Sequence, residues 1–83
     1  MNRNSTQIMG EILNLSQEQV STSTILRSCN LPHPRFKQFM GKLLDAGLIA
    51  KFEKDWVITK NGRTYLTEWK KFYDLAGNFG LEL

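Results

Sequence analysis

Ile8, Ile12 and Leu15 recur at helical spacing, Met9 and Leu13 widen their apolar face, and Ser5 or Thr6 stands ahead as a cap. A first helix is predicted over about 5–16, within which Gly10 costs about 1 kcal/mol relative to alanine. The polar run Gln17, Glu18, Gln19 reads as a loop. Val20 is the lone apolar residue before the cluster Ser21 to Thr24 and predicts a single strand rung. Ser21 or Ser23 can cap a short second helix carrying Ile25, Leu26 and Cys29, which Asn30 ends. Pro32 and Pro34 push the residues before them out of helical conformation, so a third helix is predicted from Pro34 to about Ala46. At about 100° per residue, Phe36, Phe39, Met40 and Leu43 gather in one arc with Leu44 at its edge. Arg35, Lys37, Gln38, Gly41, Lys42 and Asp45 occupy the other side.

Gly47 is the natural left-handed stop after this helix. Two β-prone runs follow, Leu48, Ile49 and Phe52 on one and Trp56, Val57 and Ile58 on the other, with Glu53, Lys54 and Asp55 as turn residues. They read as an antiparallel hairpin that Val20 can extend to three strands. Thr59 can cap a last helix through the amides of Asn61 and Gly62. That helix is predicted over about 60–76, with Gly77 as its end. Two short helices on a tight turn, then a hairpin and a helix, predict an α+β, mainly helical fold of the winged helix-turn-helix type. One domain spans 1–83, with the helix-turn-helix at about 23–46, the wing at about 48–59 and a tail at 77–83.

The last helix carries a broad aromatic stripe of Tyr65, Trp69, Phe72 and Ala76, widened by Leu66 and Tyr73. A helix of ~17 residues is ~25 Å long and outreaches so small a domain. An antiparallel second copy would cover Tyr65, Trp69, Phe72, Tyr73 and Ala76 by twofold symmetry. Alternatively these aromatics cap the domain's own core. The tail residues Phe79, Leu81 and Leu83 have no clear place in either arrangement.

Charge sharpens the picture. The net charge is only +3. From Arg27 to Arg63, however, eight cations stand against three anions, a local +5, while the remainder carries −2. Such a footprint suits a polyanion, although a solvated basic surface is the plainer alternative. A lone cysteine excludes an internal disulfide, and one histidine leaves too few soft ligands for zinc. Cys29, four residues from Ile25, reads as core rather than nucleophile. No membrane span, signal peptide, phosphate loop or nucleophile motif is present, so the expectation is a cytoplasmic protein without catalytic residues, metal or cofactor. His33 is most simply a turn residue, with phosphate contact as the alternative.

A helix carried over a tight turn fits the major groove of B-DNA. Here its outer side offers Arg35, Lys37, Gln38 and Lys42; Gln38 can pair with an adenine edge and Arg35 with a guanine edge. Gly41 would permit close approach to DNA or else accommodate packing. Arg27, Lys51, Lys54, Lys60 and Arg63 are expected at phosphates, which position a module without reading sequence. The short acidic wing tip contributes little. A protein-binding winged helix with a merely solubilising basic face is the alternative function.

The stretch NLPHPRFKQFMGKLLDAGLI followed by WVITKNGRTYL resembles the small winged-helix transcription regulators common in archaea, over roughly Ile8 to Tyr73. The resemblance implies DNA binding through the third helix, a homodimer joined through the last helix, in several members as an antiparallel coiled coil, and an archaeal origin. Three positions depart from the pattern: Pro32 replaces a frequent serine cap, Asn61 replaces a lysine, and Gly77 would shorten any coiled coil.

Overall fold

A computed structural model describes residues 4–78. Helix α1, Ser5–Leu15, starts one residue earlier than the serine and threonine suggest. Asn4 is the cap, holding an extended backbone while its side-chain oxygen accepts the Gln7 amide at 2.8 Å. Ser16 closes the helix. It is fully buried, yet its hydroxyl donates to the Ile12 and Leu13 carbonyls and its own carbonyl accepts the Ile58 amide at 2.8 Å. The helix end is thereby tied to the sheet.

Strand β1, Val20–Ser21, is the expected short rung. Ser21 also caps α2, Thr22–Cys29, by accepting the Thr24 amide, and Asn30 ends that helix with a left-handed φ of 52°. Helix α3, His33–Asp45, departs from expectation at its start. His33, rather than Pro34, is its first residue, and Pro32 is an extended cap without a side-chain bond. First-turn amides have no intrahelical acceptor, so Pro34 loses nothing at the second position. The first backbone bond runs from Phe36 to Pro32 at 3.0 Å. At the other end Gly47 takes φ +72°, and the Gly47 and Leu48 amides bond back to Leu44 and Leu43, a Schellman stop.

Strands β2, Ile49–Phe52, and β3, Asp55–Ile58, complete an antiparallel sheet of order β1-β3-β2. The turn holds two residues, Glu53 and Lys54, with Glu53 at φ 57°; Asp55 belongs to β3, opposite Phe52. Because side chains alternate, Ile49, Trp56 and Ile58 face the core with Val20, while Phe52 lies on the outer face, 55% exposed. Ile12, Leu13, Ile25, Cys29 and Leu43 form the fully buried centre. Cys29 is thus a core residue.

Helix α4 runs Lys60–Asn78. Thr59 caps it as expected through Gly62, at 3.0 Å, and its hydroxyl also donates to the Gly47 carbonyl at 2.6 Å. Gly62 lies so close to the Leu48 carbonyl that a Cβ would collide with it. The helix does not end at Gly77. A glycine stops a helix by turning left-handed, and here the backbone stays helical through Asn78. α4 packs along α1: the Trp69 indole lies directly over Gly10, its Nε1 donates to the Thr6 carbonyl at 3.0 Å, and the Tyr73 hydroxyl meets the Asn4 side-chain oxygen at 3.4 Å. Gly10 is therefore the seat of an aromatic ring. The tail residues Phe79, Leu81 and Leu83, and the side chain of Ala76, lie outside the described residues.

Candidate nucleic-acid interface

Phe36, Phe39, Met40 and Leu43 anchor α3 in the core, and this fixes what the helix shows to solvent. Arg35, Lys37, Gln38, Gly41, Lys42 and Asp45 are all exposed. With about 100° per residue, Gln38 and Gly41 sit near the middle of the outward face, Arg35 and Lys42 on one flank and Lys37 on the other. The Arg35 guanidinium lies 5.3 Å from the Phe39 ring centroid, a cation–π contact that rests the charged head of the side chain against the protein surface. Around Gly41 the space is open: an added Cβ would meet nothing within 4 Å. Intrachain packing therefore does not require this glycine.

The Lys37 flank borders the sheet across a shallow groove of about 370 Å³. His33, Lys37, Gly41 and Leu44 form its helix side, and Thr22 and Lys51 lie opposite. Its floor is apolar, made by Phe36, Met40 and Trp56. The Phe36 and Trp56 rings meet edge to face, 6.2 Å between centroids. Trp56 is satisfied within the floor, donating from Nε1 to Thr22 Oγ1 at 2.9 Å, and the Lys51 ammonium stands 5.4 Å from its ring. No carboxylate lines this groove. Among the described residues no acid pairs with Arg35, Lys37, Lys42 or Lys51; the described ion pair is Lys71 with Glu68 at 3.4 Å, on α4.

The structure thus brings Lys51 together with the α3 residues Lys37 and Gly41. The other expected phosphate contacts are more dispersed. Arg27 is exposed in the last turn of α2, Lys60 is exposed in the first turn of α4, and Lys54 is exposed in the wing turn. Arg63 belongs to different surroundings: its Nη2 donates to the Gln17 carbonyl at 3.1 Å, and it lines a separate groove with Leu66, Thr67 and Lys70. At the wing, Asp55 is engaged by Gln19 Nε2 at 2.8 Å, leaving Glu53 as the acid beside Lys54 in the turn.

Thr22 and Leu44 were absent from the sequence-derived set, and His33 entered only as an alternative phosphate contact, yet all three border the groove. For Leu44 a signal existed, its position at the edge of the apolar arc; it is 42% exposed. Thr22 has no local signature, because only the packing of α2 and α3 against β3 brings it and His33 to Trp56.

The aromatic residues of α4 fall into two groups. Trp69 and Tyr73 stack at 4.5 Å between ring centroids and are half-buried against α1. Tyr65 and Phe72 lie on the neighbouring flank, 36% and 54% exposed. No helix is long and apolar enough to cross a membrane, and no group of three metal-ligating side chains gathers, among the described residues.

A sequence model of a family described as winged helix-turn-helix matches residues 2–77. No curated protein matches the chain.

Proposed function

The chain belongs to the winged helix-turn-helix family, whose domains typically bind DNA, and from that premise we propose that it is a sequence-specific double-stranded DNA-binding protein, a homodimeric transcriptional regulator with α3 in the major groove. The observation that carries this reading is the outward face of α3. Arg35, Lys37, Gln38 and Lys42 are exposed there, none of them in an ion pair among the described residues, around a glycine that obstructs nothing, with Asp45 as the one acid of the helix on that face. Gln38 and Arg35 have the donor geometry to read adenine and guanine edges. Lys37 and Lys42 flank them, and Lys51 across the groove completes a clamp on the phosphates. Arg27, Lys54 and Lys60 are outlying phosphate contacts; Arg63, held at Gln17, serves that purpose only where DNA passes the start of α4.

Tyr65 and Phe72 support the dimer, as exposed large aromatics two turns apart on one helix flank. In this arrangement Trp69 and Tyr73 support the flank from behind by fixing α4 to α1.

Salt titration of duplex binding tests the proposal. Each phosphate neutralised contributes about 0.9 to the slope of log affinity against log salt. Lys37, Lys42 and Lys51 at phosphates together give a slope of roughly −3 per protomer, about −5 for a dimer, and each outlying contact that is made adds about 0.9 more. A protein that used this fold to dock another protein would bind no duplex even at low salt, and that result would sink the proposal.

A further inference from the structure

We infer that the sheet-side flank of α3, centred on Leu44, reads the C5-methyl group of a pyrimidine in the major groove. The inference rests on the DNA-binding reading above and names what that face selects. Among the base-edge groups of the major groove, the C5-methyl is the apolar one; every other group is a hydrogen-bond donor or acceptor. The α3 face meets that distinction with two kinds of side chain. Gln38 and Arg35 offer hydrogen bonds, and Leu44 offers only carbon, yet it is 42% exposed although Met40 and Leu43 beside it are buried.

A single exposed leucine is ordinary. This one borders a groove, and the groove supplies the argument. Its floor beneath Leu44 is apolar, provided by Met40 and Trp56, and its rims carry Lys37 and Lys51 with no carboxylate between them. Two ammonium groups across an apolar trough are complementary to a sugar–phosphate strand whose base edge points inward. Gly41, one turn before Leu44, has no neighbour within 4 Å of a would-be Cβ, so the helix backbone can sit close to the base edges. That approach brings the leucine carbons within van der Waals reach of a methyl group. With α3 along the groove, six residues or ~9 Å separate Leu44 from Gln38. At 3.4 Å per base pair the methyl lies about two to three pairs from the base that Gln38 contacts.

The methyl belongs either to thymine or to 5-methylcytosine, and one experiment separates them. A preferred duplex is selected with the intact chain. Each thymine is then replaced in turn by deoxyuridine, and each cytosine in turn by 5-methylcytosine. Removing a buried methyl is expected to weaken binding about fourfold at one position of the half-site, the transfer effect of one methylene-sized group. That assigns thymine. An equivalent gain at a methylated cytosine, without any uracil effect, assigns 5-methylcytosine. In either case Leu44→Ala, a change at a half-exposed side chain, erases the difference and leaves the salt slope unaltered. A selected duplex indifferent to every methyl, or a Leu44→Ala protein that still discriminates, overturns the inference while DNA reading stands. A chain that selects no duplex at low salt fails one step earlier, and the proposed function falls with it.

Discussion

Two glycines in the helices of this protein make opposite demands, and Gly10→Ala is the sharper test. Helix propensity alone favours alanine at an interior position by about 1 kcal/mol. At Gly10, however, the new methyl would occupy space held by the Trp69 indole, overlapping its Cε2, Cζ2 and Nε1 atoms. The ring must lift, and overpacking of this kind costs about 1–3 kcal/mol. A lifted ring also loses the bond from Nε1 to the Thr6 carbonyl, worth roughly 1 kcal/mol. Together these outweigh the propensity gain, and Gly10→Ala is expected to destabilise the fold by about 1–3 kcal/mol. In a domain of this size each kcal/mol lowers Tm by about 4–8 °C. Urea denaturation followed by circular dichroism measures the change, repeated at several protein concentrations because dimerisation would add to apparent stability. The decisive comparison is the same substitution in a Trp69→Ala background. There the obstruction is gone, the alanine should stabilise by up to about 1 kcal/mol, and the double-mutant coupling should reach about 2 kcal/mol or more. If Gly10→Ala instead stabilises the intact protein, Trp69 does not sit on α1, and it returns to the set of side chains available to a partner.

Gly41→Ala should behave in the opposite way: with open space around it, the substitution raises stability by about 1 kcal/mol, and a fall in the urea midpoint would contradict the open site. Gly41→Gln, which would fill the open space through which DNA is proposed to approach, is expected to weaken duplex binding at unchanged or increased stability, and unaltered affinity would show that DNA does not approach there. Gln38→Ala or Arg35→Ala should relax base preference by about 1–3 kcal/mol, whereas Lys51→Ala weakens all sequences alike and reduces the salt slope by about one; equal effects from all three would refute the division between reading and positioning. Phe72→Glu should abolish cooperative binding of two copies to a duplex with paired half-sites, with the urea midpoint nearly unchanged, since Phe72 is 54% exposed; unaltered cooperativity would remove the α4 flank from the dimer.

The elements legible in the sequence are those governed by neighbouring residues. Asn30, Gly47 and Thr59 each end or start a helix through bonds within a few positions, and each does so in the structure. The core face of α3 follows from spacing alone. What a local pattern misstates is where a helix stops when nothing forces it to. His33 joins α3 because a first-turn proline loses no bond, and Gly77 stays helical because no left-handed turn is imposed on it. Non-local packing was the other blind spot. Trp69 finds Thr6 across 63 positions of sequence, so a glycine that looks like a defect in α1 and a tryptophan that looks like an interface residue are two halves of one contact. Arg63 shows the same limit for charge: it is counted with the basic middle of the chain, yet it is bonded to Gln17 in a groove separate from that of α3.

That division of α4 bears on how two copies would assemble. The stripe read from sequence spans five residues, but Trp69 and Tyr73 are half-buried against α1, leaving Tyr65 and Phe72 as the exposed aromatics among the described residues. A fully buried aromatic side chain contributes about 150–250 Å², and these two are already partly covered, so each adds roughly 100 Å². Twofold symmetry doubles the pair to ~400 Å², about a third of the ~1,200 Å² at which stable interfaces begin. Those aromatics alone therefore give a weak solution dimer. Two copies bound to adjacent half-sites face one another at a high effective concentration, and a weak contact is then enough to set their spacing. The fourth helix in this view does not need to hold the dimer together by itself; it orients protomers that DNA has already gathered. On the DNA-binding reading, the wing, with Asp55 tied to Gln19, serves to hold Lys51 at the groove beside α3, where it would meet a phosphate.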